Sequence, residues 1–220
     1  EDAMMAATGG VNTHKGLIFS LGILCAALGY LYQTGGCVDH LAQIISRVAG
    51  GTLEELKKEG AATHGMKVYA RYGLTGIRGE AAAGFPHVWQ HSLPILQNRV
   101  QAGYSINDAG VAALLHLMAH LEDTNLIHRS DKHTQQQLAR AVANFLETNP
   151  TMDEILKTAR SLDNSCTSGN LSPGGCADLL AVSLMLFFCF SNQELQLEKK
   201  PQRRYSAGRR ARPLAEAGRE

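Results

Sequence analysis

The sequence contains no CxxC pair and no strong excess of charge of either sign. Its five cysteines are scattered along the chain, and the formal net charge of the 220 residues is +1. Balanced charge gives no general electrostatic reason to expect nucleic acid or an anionic membrane surface as a partner. Cysteines without paired spacing are typical of a reducing compartment. We therefore expect a cytoplasmic protein that binds no nucleic acid and whose function depends on local sites.

Alternation of polar and apolar residues, the pattern of a half-buried strand, is almost absent, whereas apolar residues recur at spacings of three and four. Capping-box patterns at Thr52 and Thr151 predict two further helix starts. Glycine-rich segments at 73–86 and 164–175 separate the helical patterns. The sequence thus predicts an all-α fold, a single compact multi-helix domain over residues 1–192 with glycine-rich connecting loops.

Two uncharged segments, 16–38 and 179–190, have the composition of membrane spans. The first contains five glycines as well as polar residues, and the second is 12 residues long. A span needs about 20 predominantly apolar residues. We therefore expect both segments to be buried helices and the protein to have no membrane partner.

The last 28 residues, 193–220, differ in composition from the rest of the chain. They contain eight Lys or Arg against four Glu and few apolar residues, so no amphipathic face can be drawn. Such segments cannot bury enough apolar surface to fold. We expect a disordered basic tail that plays no part in the functional site; contact of its basic residues with nucleic acid or lipid head groups is the alternative.

A first cluster of polar residues, Asn12, Thr13, His14 and Lys15, lies between two glycines and directly before an apolar segment. The start of a helix has unpaired N–H groups and the positive end of the helix dipole, which favour an anion such as phosphate. A plain helix cap by Asn12 or Thr13, with Lys15 in solvent, fits the same residues. The G-x-x-x-x-G-K-[ST] spacing is absent, which excludes a Walker A loop.

The second cluster places Arg78, Gly79 and Glu80 inside the glycine-rich segment 73–86. A guanidinium on a backbone that can approach a ligand closely suits recognition of phosphate or ribose. An Arg78–Glu80 pair that only braces the loop is the alternative.

The third cluster is the segment EDTNLIHR, in which Glu122, Asp123 and Asn125 supply hard oxygen ligands within one turn. This composition suits Mg²⁺ held together with substrate phosphates. His116 and His120, just upstream, have zinc-ligand spacing. The glutamate of an HExxH motif and a third ligand are missing, so we interpret them as partly buried helix residues.

The fourth cluster opens the last predicted helix. Ser172 and Pro173 are a favourable N-cap and first helical residue, which places Gly174, Gly175 and Asp178 in the first two turns. An anion or the edge of a nucleotide could bind at this helix start.

Together, the motifs GVNTHKG, GLTGIRGEAAAGFP, EDTNLIHR and NLSPGGCADLLA, in this order, are distinctive. The sequence resembles the ATP:dephospho-coenzyme A triphosphoribosyltransferase family over residues 4–190. Members of that family also carry an N-terminal P-K-P-G-L-V-D type motif and an H-x-D-M element, which do not occur here. We therefore expect the chain to be N-terminally incomplete.

The resemblance implies a transferase that joins ATP to 3'-dephospho-CoA, releases adenine and uses Mg²⁺. Its product would pass to the transferase that loads the apo-acyl carrier protein of citrate lyase or malonate decarboxylase. Glu80 and Asp123 are the candidates for the catalytic carboxylate, and Glu122 and Asp123 for the metal. The residues expected to bind substrate are Asn12, Thr13, His14, Lys15, Arg78, Gly79, Asn125, Ser172, Gly174, Gly175 and Asp178.

Two other functions fit the same residues. One is an all-α, Mg²⁺-dependent nucleotide hydrolase, in which water attacks instead of a ribose hydroxyl. The other is an inactive fragment of the synthase. Analysis of the reaction products distinguishes the transferase from the hydrolase, and solubility without detergent together with a cooperative melt argues against the fragment.

Overall fold

The computed structural model describes residues 2–10, 14–57 and 63–191 of the chain. Within these ranges the protein consists of helices and loops without a strand, which confirms the all-α prediction. Asn12, Thr13 and the basic tail lie outside the described residues, so the predictions made for them stay predictions. The α-helices are α1 (Asp2–Ala7), α2 (Lys15–Thr34), α3 (Leu41–Ala49), α4 (His64–Tyr72), α5 (Gly76–Ala82), α6 (Leu93–Gln101), α7 (Ile106–His120), α8 (Thr124–Arg129), α9 (Lys132–Glu147), α10 (Met152–Ser168) and α11 (Gly174–Ser191).

Short helices of other types lie between them: 3₁₀ turns at Val38–His40 and Glu54–Lys57, and a π-helical turn at Val88–Ser92. The capping box predicted at Thr52 is wrong, because the Thr52 hydroxyl donates to the Ala49 carbonyl at the end of α3, and the helical turn that follows is the short 3₁₀ turn Glu54–Lys57. The capping box at Thr151 is confirmed, with both of its hydrogen bonds to Glu154 present.

The core forms around α7, which packs against α6, α9, α10 and α11. Its buried residues face more than one side of the helix, as expected for a helix enclosed by neighbours. Burying each large aliphatic side chain contributes about 1.5–3 kcal/mol. The fully buried large side chains that join the helices include Leu24, Leu41, Ile45, Leu115, Leu117, Leu179 and Leu186.

The apolar segment near the N-terminus forms α2, which by length and composition could cross a membrane. The core helices of other proteins meet the same criterion. Here Leu24, Ala27 and Leu31 are 0–3% exposed and face the core, and α2 packs against α3 and α11. Ile18, Tyr30 and Tyr32 on the same helix are exposed, so the predicted burial holds for one face of α2. The second apolar segment is the shorter helix α11.

Gly84 allows the loop after α5 to lie directly on α3. Its φ is +82°, and a Cβ atom there would come within 2.5 Å of the Ala42 carbonyl oxygen. The Ser46 hydroxyl donates to the Ala82 carbonyl across the same contact, at 2.6 Å. This contact fixes α5, whose first turn carries Arg78.

Candidate active site

The first turns of five helices line one cleft, which has a volume of about 890 Å³. The first turn of a helix has unpaired N–H groups and carries partial positive charge. Helix starts that converge in this way favour an anionic ligand. The first-turn residues on the cleft are Lys15, Gly16 and Leu17 of α2, His64 and Gly65 of α4, Gly76, Ile77 and Arg78 of α5, Thr124 and Asn125 of α8, and Gly174 and Gly175 of α11.

Three strongly basic side chains, Lys15, Arg78 and Arg129, also line the cleft. The Arg78 guanidinium lies 5.7 Å from the centre of the Phe19 ring, and its Nη2 donates to Glu55 Oε2 at 3.2 Å. The predicted Arg78–Glu80 brace is therefore replaced by a pair with Glu55. Among the described residues that line the cleft, the carboxylates are those of Glu55 and Asp178.

Asp178, in the second turn of α11, has unusual acidity. Burial, together with the nearby charge of Asp123, raises the pKa of Asp178 to about 7. A Cβ atom at Gly16 would overlap the Asp178 carboxylate, which explains why a glycine follows Lys15. At neutral pH this carboxyl group is protonated in about half of the molecules and can donate a hydrogen bond or a proton.

Asp123 lies next to the cleft but does not line it. It is 2% exposed, and its Oδ1 accepts hydrogen bonds from the N–H groups of Asn125 and Leu126 at 2.9 and 3.2 Å. Its Oδ2 accepts from the Cys176 N–H at 2.8 Å. Burial raises the pKa of Asp123, and these N–H groups act in the opposite direction. Asp123 therefore joins the starts of α8 and α11, a placement that does not favour the predicted catalytic and metal-binding roles.

Glu80 also lies outside the lining of the cleft. Its Oε1 is 2.7 Å from His87 Nδ1, and its Oε2 accepts from the His87 N–H at 3.4 Å. The hydrogen bond from Glu80 raises the pKa of His87, against the effect of burial. Next to it, a Cβ atom at Gly79 would overlap the Thr75 hydroxyl, so Gly79 serves packing within α5. The geometry favours a structural role for Glu80 over its predicted catalytic role.

We expect Glu80→Gln to lower stability in a pH-dependent way. The hydrogen bond to Glu80 stabilises the protonated form of His87. The contribution of this pair to folding stability is therefore full below about pH 6.5, the ordinary histidine pKa, and is lost as pH rises through the raised pKa of His87. The variant should be less stable than the parent by about 1–2 kcal/mol at pH 6 and by less at pH 9. Urea unfolding at the two pH values measures this difference. An equal loss of stability at both pH values, or a large loss of turnover, would contradict the structural role of Glu80.

Each of the predicted magnesium ligands has another partner. The Glu122 carboxylate is 2.9 Å from Lys132 Nζ at the surface, away from the buried Asp123. Within the described residues no group of three His, Cys, Asp or Glu side chains could hold a metal ion. Mg²⁺ bound to a nucleotide usually needs one or two protein oxygens and keeps several waters.

His116 and His120 lie on α7 and not on the cleft. Burial and the charges of His120, Arg99 and His91 lower the pKa of His116 to about 4. His120 is exposed and stacks on His91 with ring centres 3.8 Å apart. His116 is half-buried, as predicted, whereas the burial predicted for His120 is wrong.

Most of the predicted binding residues do meet in the cleft, although they come from four separate motifs. Sequence reasoning missed His64, His128 and Arg129. The last two end the EDTNLIHR motif and follow Thr124 and Asn125 by four positions, which places them on the same helix face. His64 belongs to no motif. The predicted residues that line the cleft are His14, Lys15, Arg78, Asn125, Ser172, Gly174, Gly175 and Asp178.

Comparison with known proteins agrees with these motifs. The sequence profile of the ATP:dephospho-CoA triphosphoribosyl transferase family matches residues 1–197. The chain is 42% identical over 197 residues to the 2-(5''-triphosphoribosyl)-3'-dephosphocoenzyme-A synthase of Pectobacterium atrosepticum, covering 85% of this chain and 62% of the relative. It is 39% identical over 201 residues to a probable synthase of the same name from Vibrio cholerae, with the same coverage of both chains.

The chain thus spans about 62% of the length of these relatives. No solved structure matches it. Because the family profile covers most of the chain and the motifs that match it line one cleft, the chain belongs to the ATP:dephospho-CoA triphosphoribosyl transferase family.

Proposed function

We propose that the protein is a transferase that joins ATP to 3'-dephospho-CoA, releases adenine and forms 2'-(5''-triphosphoribosyl)-3'-dephospho-CoA. The observation that carries this proposal is the cleft, where five helix starts, three basic side chains and a carboxyl group with a pKa of about 7 meet. In the cell, the product would go to the transferase that loads the acyl carrier protein of citrate lyase or malonate decarboxylase.

The triphosphate of ATP is the most highly charged part of either substrate, and the cleft suits it. The starts of α2 and α5, which have no side-chain cap, offer backbone N–H groups to phosphate oxygens, while Lys15 and Arg129 add full charges. Arg78 can exchange its exposed partner Glu55, whose side chain is 51% exposed, for a phosphate. Mg²⁺ bound by phosphate oxygens, with Glu55 and Asn125 as the available protein ligands, would neutralise further charge.

In the reaction, the ribose 2'-hydroxyl of dephospho-CoA attacks C1' of the ATP ribose, and adenine leaves. Displacement at a glycosidic carbon passes through a transition state with oxocarbenium character. Adenine leaves more readily when it receives a proton or a hydrogen bond. The protonated Asp178 is suited to this role because its carboxyl group lies in the cleft and keeps its proton up to about pH 7.

Lys15→Ala should weaken ATP binding about ten- to a hundredfold, because a charge-assisted hydrogen bond to phosphate contributes about 1.5–3 kcal/mol. Isothermal titration with ATP measures the loss, and the melting temperature without ligand should change little. Lys132→Ala is the matched control, since Lys132 pairs with Glu122 outside the cleft. Equal ATP affinity in the Lys15 variant and the parent would exclude Lys15 from the phosphate site.

The function itself is tested by incubating the protein with ATP, dephospho-CoA and Mg²⁺ and separating the products by chromatography. Free adenine together with an acceptor that has gained a triphosphoribosyl group supports transfer. Release of ADP or diphosphate without adenine indicates a nucleotide hydrolase instead. ATP binding without any product indicates an inactive fragment.

A further inference from the structure

Two histidines that were not among the predicted site residues form a stacked pair inside the cleft. The imidazole rings of His64, in the first turn of α4, and His128, in α8, lie with centres 3.8 Å apart and planes 22° from parallel. The pair joins two helices that pack on each other. A ring held in this way keeps one orientation towards the cleft, as a group that exchanges protons with a substrate must.

His128 is surrounded by positive charge. Partial burial and the charges of His64, Lys67 and Arg129 all lower the pKa of His128. These groups are on α4, which packs against it, and on α8 itself. At neutral pH the His128 ring is therefore mostly neutral, and one of its nitrogens has a free electron pair.

The carboxyl and cationic groups of the cleft are less suited to accept a proton. Glu55 pairs with Arg78 in the structure and is the available ligand for Mg²⁺ once a phosphate takes its place, and Lys15, Arg78 and Arg129 are cations. Asp178 retains its proton up to about pH 7 and suits donation instead. A proton donor must be protonated to act, and an acceptor must be deprotonated. When the donor has the higher pKa, as here, both conditions hold at pH values between the two pKa values.

We infer that His128 is the base that accepts the proton of the attacking ribose hydroxyl, with His64 as the positioning residue that holds the His128 ring. This inference rests on the proposed function and names a catalytic residue for it.

The step balances in atoms and protons. The hydroxyl oxygen of dephospho-CoA forms a bond to C1' of the ATP ribose, and its proton passes to the His128 imidazole. The bond from C1' to N9 breaks, its electron pair goes to adenine, and adenine takes the proton of Asp178. His128 then loses its proton to solvent, and Asp178 regains one before the next turnover.

The first experiment compares turnover of variants that keep a flat ring in the stack. His128→Phe retains the ring but removes the proton acceptor, so kcat should fall about 10²–10⁴-fold while ATP affinity stays within about twofold. His64→Ala should lower kcat through loss of the stack, and His64→Phe should restore most of that loss. His133→Phe, an exposed histidine on α9, is the control. A kcat for His128→Phe within a few-fold of the parent would overturn the inference.

The second experiment requires no turnover. The affinity of the ATP-bound protein for dephospho-CoA is compared with its affinity for the 2'-deoxy analogue, which lacks the attacking hydroxyl. A hydrogen bond from that hydroxyl to His128 predicts a preference for the ribose form of about fivefold, since one neutral bond contributes about 1 kcal/mol. His128→Phe should abolish the preference, and His133→Phe should not.

The outcomes separate the two proposals. If the parent protein binds dephospho-CoA and His128→Phe keeps the full preference, His128 is not the base although the proposed function stands. If the parent protein releases no adenine and binds no dephospho-CoA, the proposed function fails and this inference fails with it.

Discussion

Replacing Asp178 with asparagine should reduce turnover about 10²–10³-fold while making the protein more stable above pH 7. Asparagine keeps the size of the side chain but cannot give a proton to the departing adenine, and proton transfer of this kind is worth at least that factor. Steady-state release of adenine measures the first effect, and thermal unfolding at pH 4 and pH 8 measures the second.

The sign of the stability change follows from the raised pKa. An exposed aspartate titrates near pH 3.9, whereas Asp178 in the folded protein titrates near pH 7. The folded state therefore binds more protons than the unfolded state between these values, and stability falls as pH rises through them. Asparagine removes this loss, so the variant should resemble the parent at pH 4 and exceed it at pH 8.

The same pKa predicts that kcat/KM of the parent protein falls as pH rises above about 7. Asp163→Asn, an exposed change on α10, serves as the control for both measurements. Normal turnover in the Asp178 variant would remove Asp178 from the chemistry and leave it as a binding residue for a nucleotide hydroxyl.

Asp123→Ala should lower the free energy of unfolding by roughly 2–5 kcal/mol. The substitution removes the cap of α8, worth about 1 kcal/mol, and leaves the buried N–H of Cys176 without its acceptor, which costs about 1–3 kcal/mol more. A small cavity adds to the loss. Denaturant unfolding monitored by circular dichroism measures the change.

Asp123→Asn is the matched control, because the amide oxygen can still cap α8 while the amide NH₂ is a poor partner for the Cys176 N–H. Its loss of stability should lie between those of the parent and the alanine variant. A stable Asp123→Ala protein without turnover would instead support the catalytic role that the sequence predicts.

Many residues of the cleft could be predicted from the sequence, because the patterns that mark them are local. A glycine next to a basic residue at a helix start, as at Lys15, or a Ser-Pro-Gly-Gly sequence, as at Ser172, can be recognised without knowing the fold. The structure starts α11 at Gly174 with Pro173 in the cap position, so the predicted cap by Ser172 is wrong by one residue. Each such helix start forms one wall of the cleft. The orientation of the helices relative to one another cannot be inferred from these local patterns. Helix packing supplies that orientation, and packing depends on contacts distant in sequence.

The roles of the carboxylates were harder to predict, because a capping aspartate and a metal-binding aspartate have the same local pattern. Asp123 precedes a helix in either case, and the hydrogen bond to Cys176, 53 residues away, decides between them. Glu80 has its partner His87 only seven residues away, beyond a turn whose shape depends on the close contact of Gly84 with α3. The pKa of Asp178 depends on burial, which periodicity does not reveal.

The convergence of five helix starts also affects how the empty protein behaves. Thr63 and Asp123 already accept hydrogen bonds from first-turn N–H groups of α4, α8 and α11, whereas the starts of α2 and α5 have no side-chain cap and are left for a polyanion to satisfy. A nucleotide would then act as a structural part of the fold, and the melting temperature should rise with the logarithm of its concentration. Because the donors are backbone groups, no single side-chain replacement can remove this response.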